Sequence, residues 1–375
     1  MRVPAVLLFL LSVIATAAAQ TQTWKPLRPV STFSIVARDP QTGEMGVAVQ
    51  SHWFAVGQIV PWAEAGVGAV ATQSFVDPSY GKLGLDLMRA GKSAPEALKA
   101  LMTADPSRAV RQVAMVDAEG RTAAFTGCKD IQAAGHAIGA DGTTASGSLG
   151  PVAIAGTGWV PEPQHPGEPP CNGVFTTGSW YSAQANLMSN DKIWLAMSQE
   201  FESTKGDLAE RMLAALDAAQ AVGGDIRGRQ SAALIVVKAK SSGKSWEDRI
   251  FDLRVDDNPE PLKELRRLVT LQRAYNHMNA GDLAVEHKDN EGALREYSAA
   301  EQLATGAEGI PSSRLAEMIY WHAVALVKIG KVDESLPLFR KAFTLQPSWR
   351  ELTPRLPKAG LLPDDPKLIE TITKQ

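Results

Sequence analysis

What most narrows the fold of this chain is the order in which its two hydrophobic periodicities succeed one another. Alternation with a period of two comes first. Thr32 to Ala37 runs into the turn Asp39-Pro40-Gln41-Thr42-Gly43, and Met45 to Val49 leads back out, which is a hairpin signal. With the turn centred near Gln41 and Thr42, Thr32 lies opposite Ser51, and Thr32, Ser34, Ser51 and His52 gather at one end of the ladder. A third apolar strand, Val67 to Thr72, follows within reach. Helical spacing then takes over from Tyr80 to Arg89 and from Ala94 to Met102, with Pro95 in a first helical turn. Val110 to Val116 and Thr122 to Thr126 form a second hairpin across Asp117-Ala118-Glu119-Gly120. After a stretch rich in Gly, Pro, Ser and Thr from 139 to 179, read as a surface insertion, helices are expected over 193–201 and 208–221. Gly223-Gly224 stops the second, and strands follow at 230–237 and 250–255. Strands, then helices, then strands again predict a layered α+β domain rather than alternating βαβ units.

Beyond Pro259 and Pro261 the chain turns helical and charged. Gly281, Ala284, Ala293, Tyr297 and Ala300 recur as Ala323, Leu326, Ser335, Phe339 and Ala342 at the same offsets, and Pro347 closes the second unit. Those spacings resemble tetratricopeptide repeats, in which small residues let two helices approach and an aromatic ring fills the gap. Two copies fall short of an independent solenoid, so this tail, 259–375, is expected to dock on the main domain, 31–258.

The N-terminus carries Arg2, an apolar run from Val6 to Ala15, and the small residues Ala17-Ala18-Ala19, the order a signal peptidase reads. The expectation is a signal peptide over 1–19, cleaved near Ala19, and a polar leader over 20–30. The product would be periplasmic or extracellular, without a membrane span. In an exported chain the two cysteines, Cys128 and Cys171, are more often bridged than free. The bridge would stabilise by about 4 kcal/mol and pin the insertion. A formal net charge of −3 with no basic run argues against nucleic acid. No metal site or cofactor is expected: there is no His-Glu-x-x-His, no Cys-x-x-Cys and no phosphate loop. His136, His165, His277, His287 and His322 are scattered and read as packed or surface residues. Gly-x-Ser-x-Gly is absent too, which argues against an α/β-hydrolase.

What remains is the hydroxyl cluster. A hydroxyl needs a base beside it, and in one class of hydrolases that base is the α-amino group of the same residue, with a pKa of ~7.7–8.0. Such a residue must be first in the mature chain and must begin a core strand. Thr32 begins a strand; equally, Thr32 and Ser34 are ordinary β-formers on a half-exposed strand.

Several motifs resemble the family catalogued as domain of unknown function 1028. They are Ser31-Thr32-Phe33-Ser34-Ile35-Val36-Ala37-Arg38-Asp39, Gly46 through Gly57 with Gln50-Ser51-His52-Trp53 inside it, Pro61-Trp62-Ala63-Glu64-Ala65-Gly66 through Gln73, and Gly223-Gly224-Asp225 through Gln230-Ser231-Ala232-Ala233. The likeness covers 31–271, and Trp349-Arg350-Glu351-Leu352 with Gly360-Leu361-Leu362-Pro363 extends it over the tail; the insertion at 141–178 departs from the pattern. That family is similar to N-terminal nucleophile hydrolases, which implies a four-layer αββα sandwich. By fold analogy Thr32 takes the nucleophile position and Ser51 and His52 the neighbouring polar position. Asp225, in Asp225-Ile226-Arg227-Gly228, supports the amino group, and Asn186 lines the pocket. Two readings stay open. One is an exported amide-bond hydrolase acting on peptides, cell-wall fragments or acylated small molecules. The other is a non-catalytic scaffold whose tail and insertion capture a protein partner, with self-association also open.

Overall fold

The computed structural model describes residues 29–139 and 173–375. The expected signal peptide, nearly all of the expected leader, most of the expected insertion, His165 and Cys171 lie outside the described residues.

The first hairpin forms as the alternation predicts. Strand β1 (Thr32–Arg38) pairs antiparallel with β2 (Met45–Ser51), and Thr32 stands opposite Ser51. Asp39 closes the turn by accepting the amides of Gln41 and Thr42 at 2.7 and 2.9 Å. A strand β3 (Pro61–Glu64) follows, then β4 (Gly68–Ser74), helices α1 (Ser79–Arg89) and α2 (Ala94–Ala104), and the hairpin β5 (Arg111–Asp117) and β6 (Arg121–Thr126). Ser93 starts α2 with a capping box, exchanging hydrogen bonds with Glu96, and Pro95 sits in the first turn. Next come β7 (Gly135–Ile138), β8 (Val174–Ser179) and β9 (Tyr181–Asn186), helices α3 (Ile193–Ser203) and α4 (Leu208–Ala221), and the pair β10 (Ser231–Val237) and β11 (Arg249–Val255).

These strands make two antiparallel sheets. One has the order β11-β10-β2-β1-β9-β7 and the other β3-β4-β5-β6-β8. The sheets face each other, with β1 and β2 against β4 and β5. Period-two geometry sorts the side chains of β1: Phe33, Ile35 and Ala37 face outward under α3 and α4, while Val36 points inward to meet Val47, Ala71, Ala114 and Ile235. On the opposite outer face, Leu85, Met88, Leu98 and Met102 of α1 and α2 cover Val70, Met115 and Phe125. Helices therefore cover both outer faces of the paired sheets.

Several expectations need correction. The insertion does not extend to Ser179: Val174–Ser179 is a strand laddered to β6, with Phe175 opposite Phe125. Its Thr-Thr-Gly run conceals the alternation because this edge strand keeps only Phe175 and Ser179 buried. The strand β9 is buried throughout, yet no apolar run marks it, because its inward residues Ser182, Gln184 and Asn186 are polar.

The tail consists of α5 (Pro261–Glu286), α6 (Asn290–Gly306), α7 (Ser312–Lys328), α8 (Val332–Leu345) and the short helices α9 (Ser348–Leu352) and α10 (Pro366–Thr373). Helices α5 and α6 form one hairpin, with the Tyr297 ring against the bare face of Gly281; a Cβ there would stand 3.1 Å from the ring. Helices α7 and α8 form the next, with Phe339 and Phe343 around Tyr320. Leu262, Leu265 and Val269 at the start of α5 belong to the same buried cluster as α4 and β10, so this helix is part of the main core as well as of the tail.

Candidate functional site

The inward faces of β1, β2 and β9 change character toward one end. Beyond Val36 and Val49 the inward positions are Ser34 and Thr32 on β1, Ser51 on β2, and Gln184 and Asn186 on β9, all fully buried. Register places Thr32 between Ser51 on one side and Asn186 on the other. The Thr32 hydroxyl donates to Val30 O at 2.9 Å and lies 3.2 Å from Ser51 Oγ.

The peptide bond ahead of Thr32 is held from two sides. Its carbonyl, Ser31 O, accepts a short hydrogen bond from Ser51 Oγ and a second from Arg227 Nη2 at 3.2 Å. Arg227 is fixed in turn by Asp225, whose two carboxylate oxygens receive Nε at 3.1 Å and Nη2 at 2.8 Å. Asp225 also accepts the backbone amides of Arg227 at 2.9 Å and His52 at 3.1 Å, so one buried carboxylate ties the end of β2 to the loop after α4. An isolated bridge between Met188 and Asp225 joins that loop to the end of β9. The His52 ring passes over Gly228, whose φ of +111° suits glycine; a Cβ there would meet His52 Cδ2 at 3.6 Å.

Beneath Thr32 the two sheets are bridged by side-chain amides. Gln73 Nε2 donates to Thr32 O at 3.1 Å and to Gln112 Oε1 at 2.7 Å, and Gln73 Oε1 accepts from Ser34 at 2.7 Å. Asn186 Nδ2 donates to the same Gln112 oxygen at 3.0 Å, while Asn186 Oδ1 is buried without a hydrogen-bond partner. The network continues through Thr126 to His136, whose Nε2 meets Thr176 Oγ1 at 3.0 Å. Burial pushes His136 down to about 4, so the ring is neutral above that pH. A second buried acid lies close by. Asp130 accepts Ser74 Oγ at 2.7 Å and the Gly127 amide at 3.1 Å, and burial nevertheless pushes it up to about 7.

All five residues singled out from sequence, Thr32, Ser51, His52, Asn186 and Asp225, therefore lie at this one end of the sheets. His52 contributes its backbone amide to Asp225; its ring stands at Gly228. Arg227 lies in the loop that the sequence marks as supporting without a role of its own there, and the sequence assigns none to Gln73, Gln112 or Ser31. Gln73 and Gln112 continue the inward period-two positions of Ala69 and Ala71 on β4 and of Ala114 on β5, and that polar substitution in the inward series is a weak signal for the amide layer. Ile131 and Ile226, partly exposed, flank Leu187 just beyond Asn186; the backbone of Leu187 donates to Ile131 O at 2.7 Å. Among the described residues no group of histidine, cysteine or acidic side chains could hold a metal ion, and no helix is long and apolar enough to cross a membrane. Cys128 is not a free thiol; Cys171, and with it the expected pairing, lies outside the described residues.

A family model described as a family of unknown function, DUF1028, matches residues 32–151 and 167–265, more than half of the chain. The chain belongs to the DUF1028 family. The DUF1028 match opens at Thr32 itself and closes within α5. Among solved structures, a DUF1028 protein from Silicibacter pomeroyi is similar at 25% identity, over 64% of this chain and 87% of that one, with a TM-score of 0.48. No curated protein matches.

Proposed function

We propose that this chain is an exported amide-bond hydrolase of the N-terminal nucleophile kind, and that it releases its nucleophile by breaking its own Ser31–Thr32 peptide bond. The observation that carries the reading is the carbonyl of that bond. It accepts from both Ser51 Oγ and Arg227 Nη2 while the hydroxyl of the next residue lies buried beside it. Two donors aimed at one carbonyl oxygen form an oxyanion site, where each donor is worth about 10²–10³ in rate. Attack by Thr32 Oγ1 on the Ser31 carbonyl carbon expels the Thr32 nitrogen, which takes up a proton, and leaves Ser31 esterified to Thr32. Water then hydrolyses the ester, giving the Ser31 carboxylate and a Thr32 with free hydroxyl and free amine. That amine serves as the base for the next substrate. Asn186 Oδ1, an unpartnered acceptor across the ladder from Thr32, is available to receive a hydrogen bond from it.

The two facing antiparallel sheets with helices on both outer faces, and a family match beginning at Thr32, support the same reading. The Cys128–Cys171 bridge and cleavage of the signal peptide near Ala19 belong to the proposal. They are supported by the absence of a free thiol at Cys128 and by the N-terminal sequence. Mass spectrometry of the purified protein is the test: a chain starting at Thr32, lost in Thr32→Ala, is expected. A chain that retains Val30 and Ser31, with turnover of amides unchanged in Thr32→Ala, removes the proposal.

One observation favours the competing scaffold reading. Val30 is fully buried and bonded in both directions to Ser74, which seals Thr32 in the uncut chain. On that reading the helical hairpins supply the partner surface. A cleft of about 330 Å³ lined by Asp282, Glu286, Tyr297, Trp321 and Lys328 is the place for it. Deleting residues 290–375 would then abolish partner capture, and retained capture would count against it.

A further inference from the structure

The two residues ahead of the scissile bond show what the site accepts. Val30 is fully buried in the apolar cluster between the sheets that also contains Val56, Val60 and Val76. Its backbone makes a two-way rung with Ser74: Val30 N donates to Ser74 O at 2.6 Å, and Ser74 N donates to Val30 O at 3.1 Å. The Ser74 backbone has a φ of +68°, unusual for a residue with a side chain. Asp130 holds it there through the 2.7 Å hydrogen bond to the Ser74 hydroxyl. Ser31 is also fully buried, and its hydroxyl has no hydrogen-bond partner. The slot at Ser31 therefore asks for a small side chain and makes no use of the hydroxyl.

Resting on the self-cleaving hydrolase reading above, we infer that the slot now filled by Val30 and Ser31 is the acyl-side binding site of the mature enzyme, and that its substrates are extended peptides. A substrate places a branched apolar residue in the Val30 position, paired as a strand rung with Ser74, and a small residue, Ala or Ser, in the Ser31 position. Its scissile carbonyl then takes the place of Ser31 O between Ser51 and Arg227. Thr32 Oγ1 forms the ester with that carbonyl carbon, the amine half of the peptide leaves with the proton, and water completes the hydrolysis. Among peptides, cell-wall fragments and acylated small molecules, this geometry selects peptides, because the rung requires a backbone N–H and C=O two residues apart from the cleaved bond's own nitrogen.

The test separates this from the hydrolase reading. In one full-length chain a site-specific protease sequence replaces residues 26–31, so that cutting leaves Thr32 first and the slot empty whether or not the natural chain cuts itself. Binding of acetyl-Pro-Val-Ser, acetyl-Pro-Val-Ala, acetyl-Pro-Asp-Ser and acetyl-Pro-Val-Phe is measured by calorimetry. Before cutting, none is expected to bind at this site. After cutting, the Val-Ser and Val-Ala peptides are expected to bind alike, with the Asp and Phe peptides weaker by about tenfold or more. Equal binding of all four, or of none, overturns the assignment. Hydrolysis of acetyl-Pro-Val-Ala-anilide, together with the mass of the natural chain, reports separately on catalysis. Hydrolysis without side-chain preference sinks the subsite alone; preference without hydrolysis sinks the enzyme reading and leaves a peptide-binding slot.

Discussion

Arg227 is the residue on which most of the chemistry above converges, because it joins the buried Asp225 carboxylate to the Ser31 carbonyl. Arg227→Ala is expected to slow appearance of the Thr32 N-terminus by about 10²–10³, the usual loss for one oxyanion donor. Arg227→Lys restores the charge but not the fork that grips both Asp225 oxygens, so its rate should fall between the two; a time course by mass spectrometry reads both. Asp130 and His136 give a second prediction, in pH. The Asp130 carboxyl rises from 3.8 unfolded to about 7 folded, so between those values the folded chain holds a proton the unfolded chain has released. Stability from this group therefore falls as pH rises from about 4 to 7. His136 drops from 6.5 to about 4, so over nearly the same window the unfolded chain holds the extra proton and stability rises with pH. Each slope is at most about 1.4 kcal/mol per pH unit, and the two oppose each other. Urea denaturation at pH 4.5 and 6.5 should show Asp130→Asn gaining stability toward pH 6.5, relative to the parent, and His136→Gln losing it.

Elements were legible where one face is apolar. The hairpin of β1 and β2, the helices α1 to α4 and the pair β10–β11 all announce themselves by period and by their stops, down to Gly223-Gly224 after α4. The elements that escaped are β3, β7, β8 and β9, and the reason is physical rather than incidental. The inward face of β9 carries Ser182, Gln184 and Asn186 because it faces an amide layer instead of a greasy one, so apolar periodicity vanishes where the candidate site is built. The same cause hid Gln73 and Gln112: a buried glutamine is unremarkable in sequence until the facing sheet supplies its partner. Thr32 and Ser51 were legible because hairpin register alone pairs them, whereas the hold of Arg227 on Ser31 spans 196 residues and no local pattern encodes it. Glycines within helices offer a check on packing against propensity. Replacing Gly by Ala in a helix favours folding by up to about 1 kcal/mol, and at Gly306, with nothing within 4 Å, that gain should appear. At Gly81 a Cβ would stand 2.3 Å from the Trp62 ring, so overpacking of about 1–3 kcal/mol wins and Gly81→Ala should lower the melting temperature.

At the scale of the whole molecule, α5 decides how the parts respond together. Its first turns bury Leu262, Leu265 and Val269 with α4 and β10, and its later turns bury Ala274 and Met278 with α6 and α7. Each of those large side chains is worth about 1.5–3 kcal/mol when buried, so the first three together rival the whole stability of a typical domain. Thermal unfolding of the full chain should therefore be a single transition. Removing 290–375 should leave a folded, less stable core, and removing everything after Pro259 should leave none, as calorimetry would show. The family match itself ends inside this helix, at residue 265. A boundary for trimming or joining such chains therefore lies past Met278, not at the prolines where composition changes. A cut at Pro259 would take a wall from the room it was meant to leave standing.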